Sequence, residues 1–240
     1  ELARRLGYRL EAARDFRFDT QADDGGWNRG SDGDWHYTLF VENGRVADRS
    51  GPQLMTALRA IAREHDGEFR VTPNQNVVIA RVPEHKRDRI AALLEEHGLA
   101  GPHAPSALRR NAMACVGFPT CGLAMAESER YLPSLVTATE AILDRHGLAG
   151  EPIVMRMTGC PNGCARPYVA EIAFSGRAPG KYNMYLGGRH DGQRLNRLYL
   201  ENIGEERILS ELDTLLGRFA REREAGEGFG DFAVRAGIVR

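Results

Sequence analysis

The stretch Ile153-Val154-Met155-Arg156-Met157-Thr158-Gly159-Cys160-Pro161-Asn162-Gly163-Cys164 sets the architecture. Ile153–Met157 reads as a strand. It passes directly into a tight turn, Pro161-Asn162-Gly163, with a cysteine at each end. Gly159 and Gly163 let backbone approach a bulky group closely. A strand feeding such a turn places the Cys160/Cys164 pair at the end of a sheet, where backbone N–H groups can also reach the sulfurs.

A second pair lies upstream in Cys115-Val116-Gly117-Phe118-Pro119-Thr120-Cys121. The spacings are C-x5-C and C-x3-C, and these are the only four cysteines in the chain. Thiolates are soft donors suited to iron–sulfur clusters and zinc. Four of them are the set a cubane cluster requires. Zinc knuckles usually use C-x2-C or C-x4-C, and the C-x-x-C of thioredoxin-like chemistry is missing. The spacing alone leaves three readings open: a cluster, a zinc site, or four inert buried thiols.

Around this centre the chain reads as α+β. Upstream, Trp35–Glu42 alternates like a strand, Asn43-Gly44 signals a turn, and Gln53–His65 is an amphipathic helix through Leu54, Leu58 and Ile61. Phe69–Thr72 and Val77–Val82 read as strands, and Glu84–His97 as a helix ended by Gly98. A composition shift at Gly101-Pro102-His103-Ala104-Pro105 predicts a boundary, giving units 1–104 and 105–240. In the second unit, helices are expected near Pro133–His146 and over Glu205–Arg223, and strands at Val169–Phe174 and Tyr182–Leu186. The charged start, Glu1–Arg17, reads as helical. Gly226-Glu227-Gly228-Phe229-Gly230 follows a helix and lacks the Lys-Ser/Thr of a P-loop, so it reads as a turn.

Bulk properties narrow the function classes. The 240 residues carry a formal net charge of −1, which gives no electrostatic footprint for nucleic acid. No run of about 18 apolar residues is present, so no membrane span is expected. No secretory signal is visible, and a cytoplasmic setting with reduced cysteines is expected. Both ends look cut, as in a segment of a longer chain. The seven histidines form no metal-ligand spacing.

The cysteine segments with their flanks, Met113–Glu127 and Thr158–Arg166, resemble the sirohaem-dependent sulfite and nitrite reductase family, and within it the NADPH-dependent assimilatory branch. Asp34–Gly44, Phe69–Asn76 and Glu222–Phe232 carry the resemblance along nearly the whole chain from Trp27 on. It implies a ferredoxin-like half-domain followed by an α/β domain for sirohaem and a 4Fe–4S cluster. Cys115, Cys121, Cys160 and Cys164 would bind the cluster, and Cys164 would also ligate the sirohaem iron. Gln75, Asn162 and Arg166 would contact sirohaem, with Asn74, Asn76 and Arg70 as further candidates. Without the resemblance, Arg70 and Arg166 read as salt-bridge partners and Gln75 as a loop residue. The implied reaction is six-electron reduction of sulfite to sulfide, fed by a flavoprotein (alpha) subunit. Alternatives are ferredoxin-dependent sulfite or nitrite reduction, or a zinc- or cluster-stabilised module without catalysis. Family members are roughly twice this length, so this segment resembles their second half. Much of the substrate-gripping basic set would lie in the missing N-terminal half.

Overall fold

The computed structural model describes the chain apart from Arg17, Asp19, Ser50 and residues 101–104. A short helix, α1 (Leu2–Leu6), ends at Gly7 in the left-handed region (φ 75°). The expectation of helix over Glu1–Arg17 is therefore met only in its first turns, and Arg17 itself lies outside the described residues. None of the α1 residues is buried. An isolated helix with no apolar face to dock is too short to persist beyond a turn or two.

The first sheet holds β1 (Gly26–Arg29), β2 (Trp35–Leu39), β3 (Glu68–Val71) and β4 (Val77–Val82), ordered β1-β2-β4-β3 and antiparallel throughout. Between β2 and β3 comes α2 (Leu54–Glu64), and after β4 comes α3 (Glu84–Glu96). Leu54, Ala57 and Ile61 recur at helical spacing on α2 and are buried, as are Ile90, Leu93 and Leu94 on α3. Both faces pack on Leu39, Ile79 and Val82 of the sheet. Gly98 closes α3 at φ 69°, its N–H donating to Glu95 O. The turn signal at Asn43-Gly44 becomes a 3-10 turn in which both residues have positive φ.

The boundary expected at residue 104/105 falls on residues 101–104 and so lies outside the described residues. Past it come α4 (Ala107–Arg110), β5 (Ala112–Ala114), α5 (Leu132–Arg145), β6 (Met155–Thr158), β7 (Ile172–Ala178), β8 (Lys181–Leu186), β9 (Arg197–Ile203), α6 (Glu205–Glu222) and α7 (Phe229–Arg235). The second sheet is ordered β5-β6-β7-β8-β9. β5, β6 and β7 run parallel, while β8 and β9 are antiparallel to their neighbours. Parallel pairing of β5 and β6 requires the crossover that α5 supplies. Helices α5, α6 and α7 cover one face through Leu135, Ile142, Leu212, Leu216, Phe219 and Phe232. Phe219, Phe229 and Phe232 form an aromatic trio with ring centroids 5.4–6.4 Å apart. The Gly226–Gly230 stretch is a turn only as far as Gly228, which precedes α7.

Side chains tie the two sheets together. Arg109 donates to Glu42 Oε1 at 2.6 Å and to Glu140 Oε2 at 2.7 Å. Gln75, on the β3–β4 turn, donates its Nε2 to Ala114 O at the end of β5 (2.8 Å). No helix among the described residues is long and apolar enough to cross a membrane.

Candidate functional site

Both cysteine motifs leave the second sheet from the same edge. β5 ends at Ala114 and Cys115 follows; β6 ends at Thr158 and Cys160 follows two residues on. The register pairs Ala114 with Met157 in parallel. The C-terminal ends of neighbouring parallel strands are where α/β folds place binding groups. The two loops are also bonded to each other. Cys115 N donates to Met157 O (3.2 Å), and Gly159 N donates to Cys115 Sγ (3.2 Å). Gly159 O accepts from Met125 N (2.7 Å) and Ala126 N (3.0 Å). Glycine at 159 is a packing requirement, because a Cβ there would stand 2.7 Å from Ala126 O and 3.0 Å from Gly117 Cα.

All four cysteines are free thiols. Cys160 is buried, Cys115 and Cys121 are half-buried, and Cys164 is exposed. Among the described residues, no three His, Cys, Asp or Glu side chains converge closely enough to hold a metal ion. The fold thus starts both cysteine loops from one edge of the sheet, with Cys115 and Cys160 just past the ends of β5 and β6. The donor chemistry fits an iron–sulfur cluster: four soft donors on two abutting loops, with a backbone N–H already bonded to one sulfur. Beside these loops one buried acceptor is left over: Gln75 Oε1 has no hydrogen-bond partner among the described residues. Gln75 also holds φ 68°, a left-handed conformation uncommon for a non-glycine residue.

The other expected contacts divide. Asn162 is exposed on the turn between Cys160 and Cys164. Arg166 follows Cys164 by two residues and takes φ 51°, ψ 49°. Its Nη2 donates to Pro73 O (2.9 Å) and Asn74 Oδ1 (2.8 Å), so the fold brings the 73–75 turn against the cysteine turn. Asn76 is committed elsewhere: its Oδ1 accepts from Val41 N and its Nδ2 donates to Asp23. Arg70 forms an exposed ion pair with Glu68 at 2.7 Å, the salt-bridge reading of that residue.

Three residues at this edge escaped the sequence reading. Arg156 in β6 is 2 % exposed, and burial first, then the nearby Arg166, pulls its pKa down to about 10. Its signal was the single charge inside Ile153–Met157. Gln21 and Asp23 lie in the Gly/Asp-rich start and bond to Asn74, through Gln21 O and Asp23 Oδ1. Nothing in their local pattern distinguishes them from solvated loop.

A groove of about 970 Å3 lies elsewhere, lined by Glu171, His190, Arg223, Glu227 and Phe229, and holds none of the cysteines. The loops at residues 151–153 and 189–191 and the α6–α7 connection line it, whereas the cysteine edge carries the donor chemistry. Glu171, 1 % exposed, accepts from Val154 N, Gly230 N and His190 Nδ1.

Residues 28–97 match the nitrite/sulfite reductase ferredoxin-like half domain. The chain is 60% identical over 240 residues to the sulfite reductase [NADPH] hemoprotein beta-component of Methylocella silvestris, covering all of this chain and 42% of that protein. It is 57% identical to the protein of the same name from Bacillus subtilis, again over 42% of its length. The chain therefore spans about two fifths of the curated relatives it matches. Among solved structures, the Mycobacterium tuberculosis NirA protein superposes with a TM-score of 0.79 at 26% identity, covering 100% of this chain and 46% of that one.

Proposed function

This chain belongs to the nitrite and sulfite reductase family, and from that premise we propose that it is the cofactor-bearing part of a sulfite reductase. The whole protein would reduce sulfite to sulfide, taking six electrons and eight protons per sulfite dianion and releasing one hydrogen sulfide and three waters. We place it in assimilatory sulfur metabolism, serving cysteine biosynthesis. The units 1–104 and 105–240 would be the ferredoxin-like half and the cofactor domain.

One observation carries this reading: both cysteine pairs issue from the C-terminal ends of adjacent parallel strands, β5 and β6, in loops hydrogen-bonded to each other. Cys115, Cys121, Cys160 and Cys164 would hold a 4Fe–4S cluster, with Cys164, the exposed thiol, shared with a sirohaem iron. When bound, the coupled pair supplies electron storage and an open iron coordination site. The chain's own residues bind and orient. Gly159 N–H donates to the Cys115 sulfur and so fixes where that sulfur sits between the two loops. Asn162 and the Arg166 guanidinium would meet the carboxylates of sirohaem, which call for donors and cations, and Gln75, whose buried Oε1 is an unpaired acceptor, would face a donor of the group. Electrons would come from a flavoprotein alpha subunit or, in the second reading, a ferredoxin. The remaining substrate contacts would come from the rest of the protein's chain.

The test is a full-length preparation assayed with a reduced dye against sulfite and nitrite, alongside iron, zinc and acid-labile sulfide analysis. Sulfite turnover with sirohaem absorbance supports the reading. A colourless, zinc-loaded protein without turnover rejects it in favour of a structural metal module.

A further inference from the structure

Four residues at the cysteine edge close a ring of hydrogen bonds through side chains and two backbone carbonyls. Arg156 Nη1 donates to Arg166 O at 3.1 Å. Arg166 Nη2 donates to Asn74 Oδ1 at 2.8 Å. Asn74 Nδ2 donates to Gln21 O at 2.8 Å. Gln21 Oε1 accepts from Arg156 Nη2 at 3.0 Å, which returns to the start. The ring joins the N-terminal arm, the β3–β4 turn, strand β6 and the exit of the Cys160–Cys164 turn. Gln21 is itself anchored, its Nε2 donating to His190 O at 2.9 Å and Val169 O at 3.2 Å.

The hub is costly. Strand alternation turns Met155 and Met157 into the helix-covered core and Arg156 to the opposite face, where it is 2 % exposed. Its two acceptors in the ring are neutral, and its Nε has no acceptor among the described residues. For stability alone, an apolar side chain would serve this site as well or better. The other unusual member is Arg166, a non-glycine residue in left-handed backbone two residues past Cys164. That conformation is strained for a side-chain-bearing residue and persists only when its surroundings hold it. The ring grips Arg166 on both sides, at its carbonyl and at its guanidinium.

We propose that Arg156, steadied by Gln21, is a positioning residue for Cys164: the ring fixes the exit of the cysteine turn and thereby aims the Cys164 sulfur, while it brings a buried cation to the carbonyl of Arg166, two residues past Cys164. The inference rests on the reading of the four thiols as cofactor ligands. Opening the ring frees residues 165–167 to relax to right-handed backbone, which swings the exposed sulfur away from its ligating position. Removing the cation also removes a charge that favours the more reduced, more anionic state of a thiolate-bound group.

The test uses the full-length holoprotein with Arg156→Met, Arg156→Lys and Gln21→Ala. Arg156→Met should release cofactor absorbance about tenfold faster under chelator challenge, the scale of one lost charge-assisted hydrogen bond. Its midpoint potential should fall and its visible spectrum shift. Arg156→Lys should restore the potential by returning the cation. Gln21→Ala, which leaves the buried charge in place, should speed release without a comparable fall in potential. If Arg156→Met fails to fold, Gln21→Ala and Arg156→Lys decide. A loaded wild type whose variants keep its release rate, potential and spectrum overturns the proposal. A wild type that holds neither iron nor sirohaem overturns the functional reading first, and this inference with it.

Discussion

Arg45 grips Glu129 with both arms of its guanidinium, at 2.6 Å and 2.7 Å. Glu129 N in turn donates to Cys115 O at 3.0 Å, so an ion pair between the two sheets props the first cysteine loop. The Arg45 guanidinium holds the Glu129 carboxyl below its usual value of 4.5. A carboxyl depressed in the folded state stabilises above its unfolded pKa and loses that contribution as pH falls through the folded one. Glu129→Gln should therefore be less stable than wild type at pH 7 by a modest amount. The gap should shrink on acidification below about pH 4.5. Urea denaturation across that range checks it; a gap that stays constant refutes the coupling.

His190 gives the opposite sign. Its hydrogen bond to the buried Glu171 raises its pKa above the ordinary 6.5, with Asp191 and Asp231 adding to the effect. The stabilisation is complete below the unfolded pKa and is lost as pH rises through the folded one. The stability difference between wild type and His190→Gln should be largest near pH 6 and smaller at pH 9. Thermal melts of both proteins in matched buffers read this directly.

The aromatic trio anchors the helical layer on the second sheet. Phe219 is fully buried and touches both Phe229 and Phe232. Phe219→Ala should cost about 3–5 kcal/mol. Chemical denaturation would show it as a lower midpoint. A loss below about 1 kcal/mol would mean the layer repacks around the gap.

On the proposed ligand roles, Cys164→Ser should lose both sirohaem absorbance and cluster iron. Asn162→Ala should disturb sirohaem while sparing the cluster. Iron, acid-labile sulfide and the visible spectrum of full-length variants separate these outcomes. Normal sirohaem absorbance and turnover in Cys164→Ser would remove that residue from the bridging role.

Much of the fold was legible because burial imprints periodicity. Helices α2, α3, α5 and α6 follow from stripes such as Ile208, Leu212, Leu215 and Phe219. Elements without such an imprint escaped. β1 lies in a Gly/Asp-rich stretch and pairs on one side only, with β2. β9 is an edge strand with no buried residue. α7 hid behind Gly226 and Gly228, because its identity rests on Phe229 and Phe232 finding Phe219, a tertiary event. At the candidate site, the four cysteines stood out in the sequence by spacing and flanks. Gln21 did not, because its partners Arg156, Val169 and His190 lie far along the chain.

The crossover between β5 and β6 has a consequence for biogenesis. Each cysteine motif is a local two-thiol fragment, and only parallel pairing through α5 brings the fragments into contact. A nascent or misfolded chain thus presents the two cysteine pairs apart. If the four thiols hold the proposed group, high-affinity capture would be a property of the closed sheet, and insertion of that group would be a checkpoint that only correctly folded molecules pass.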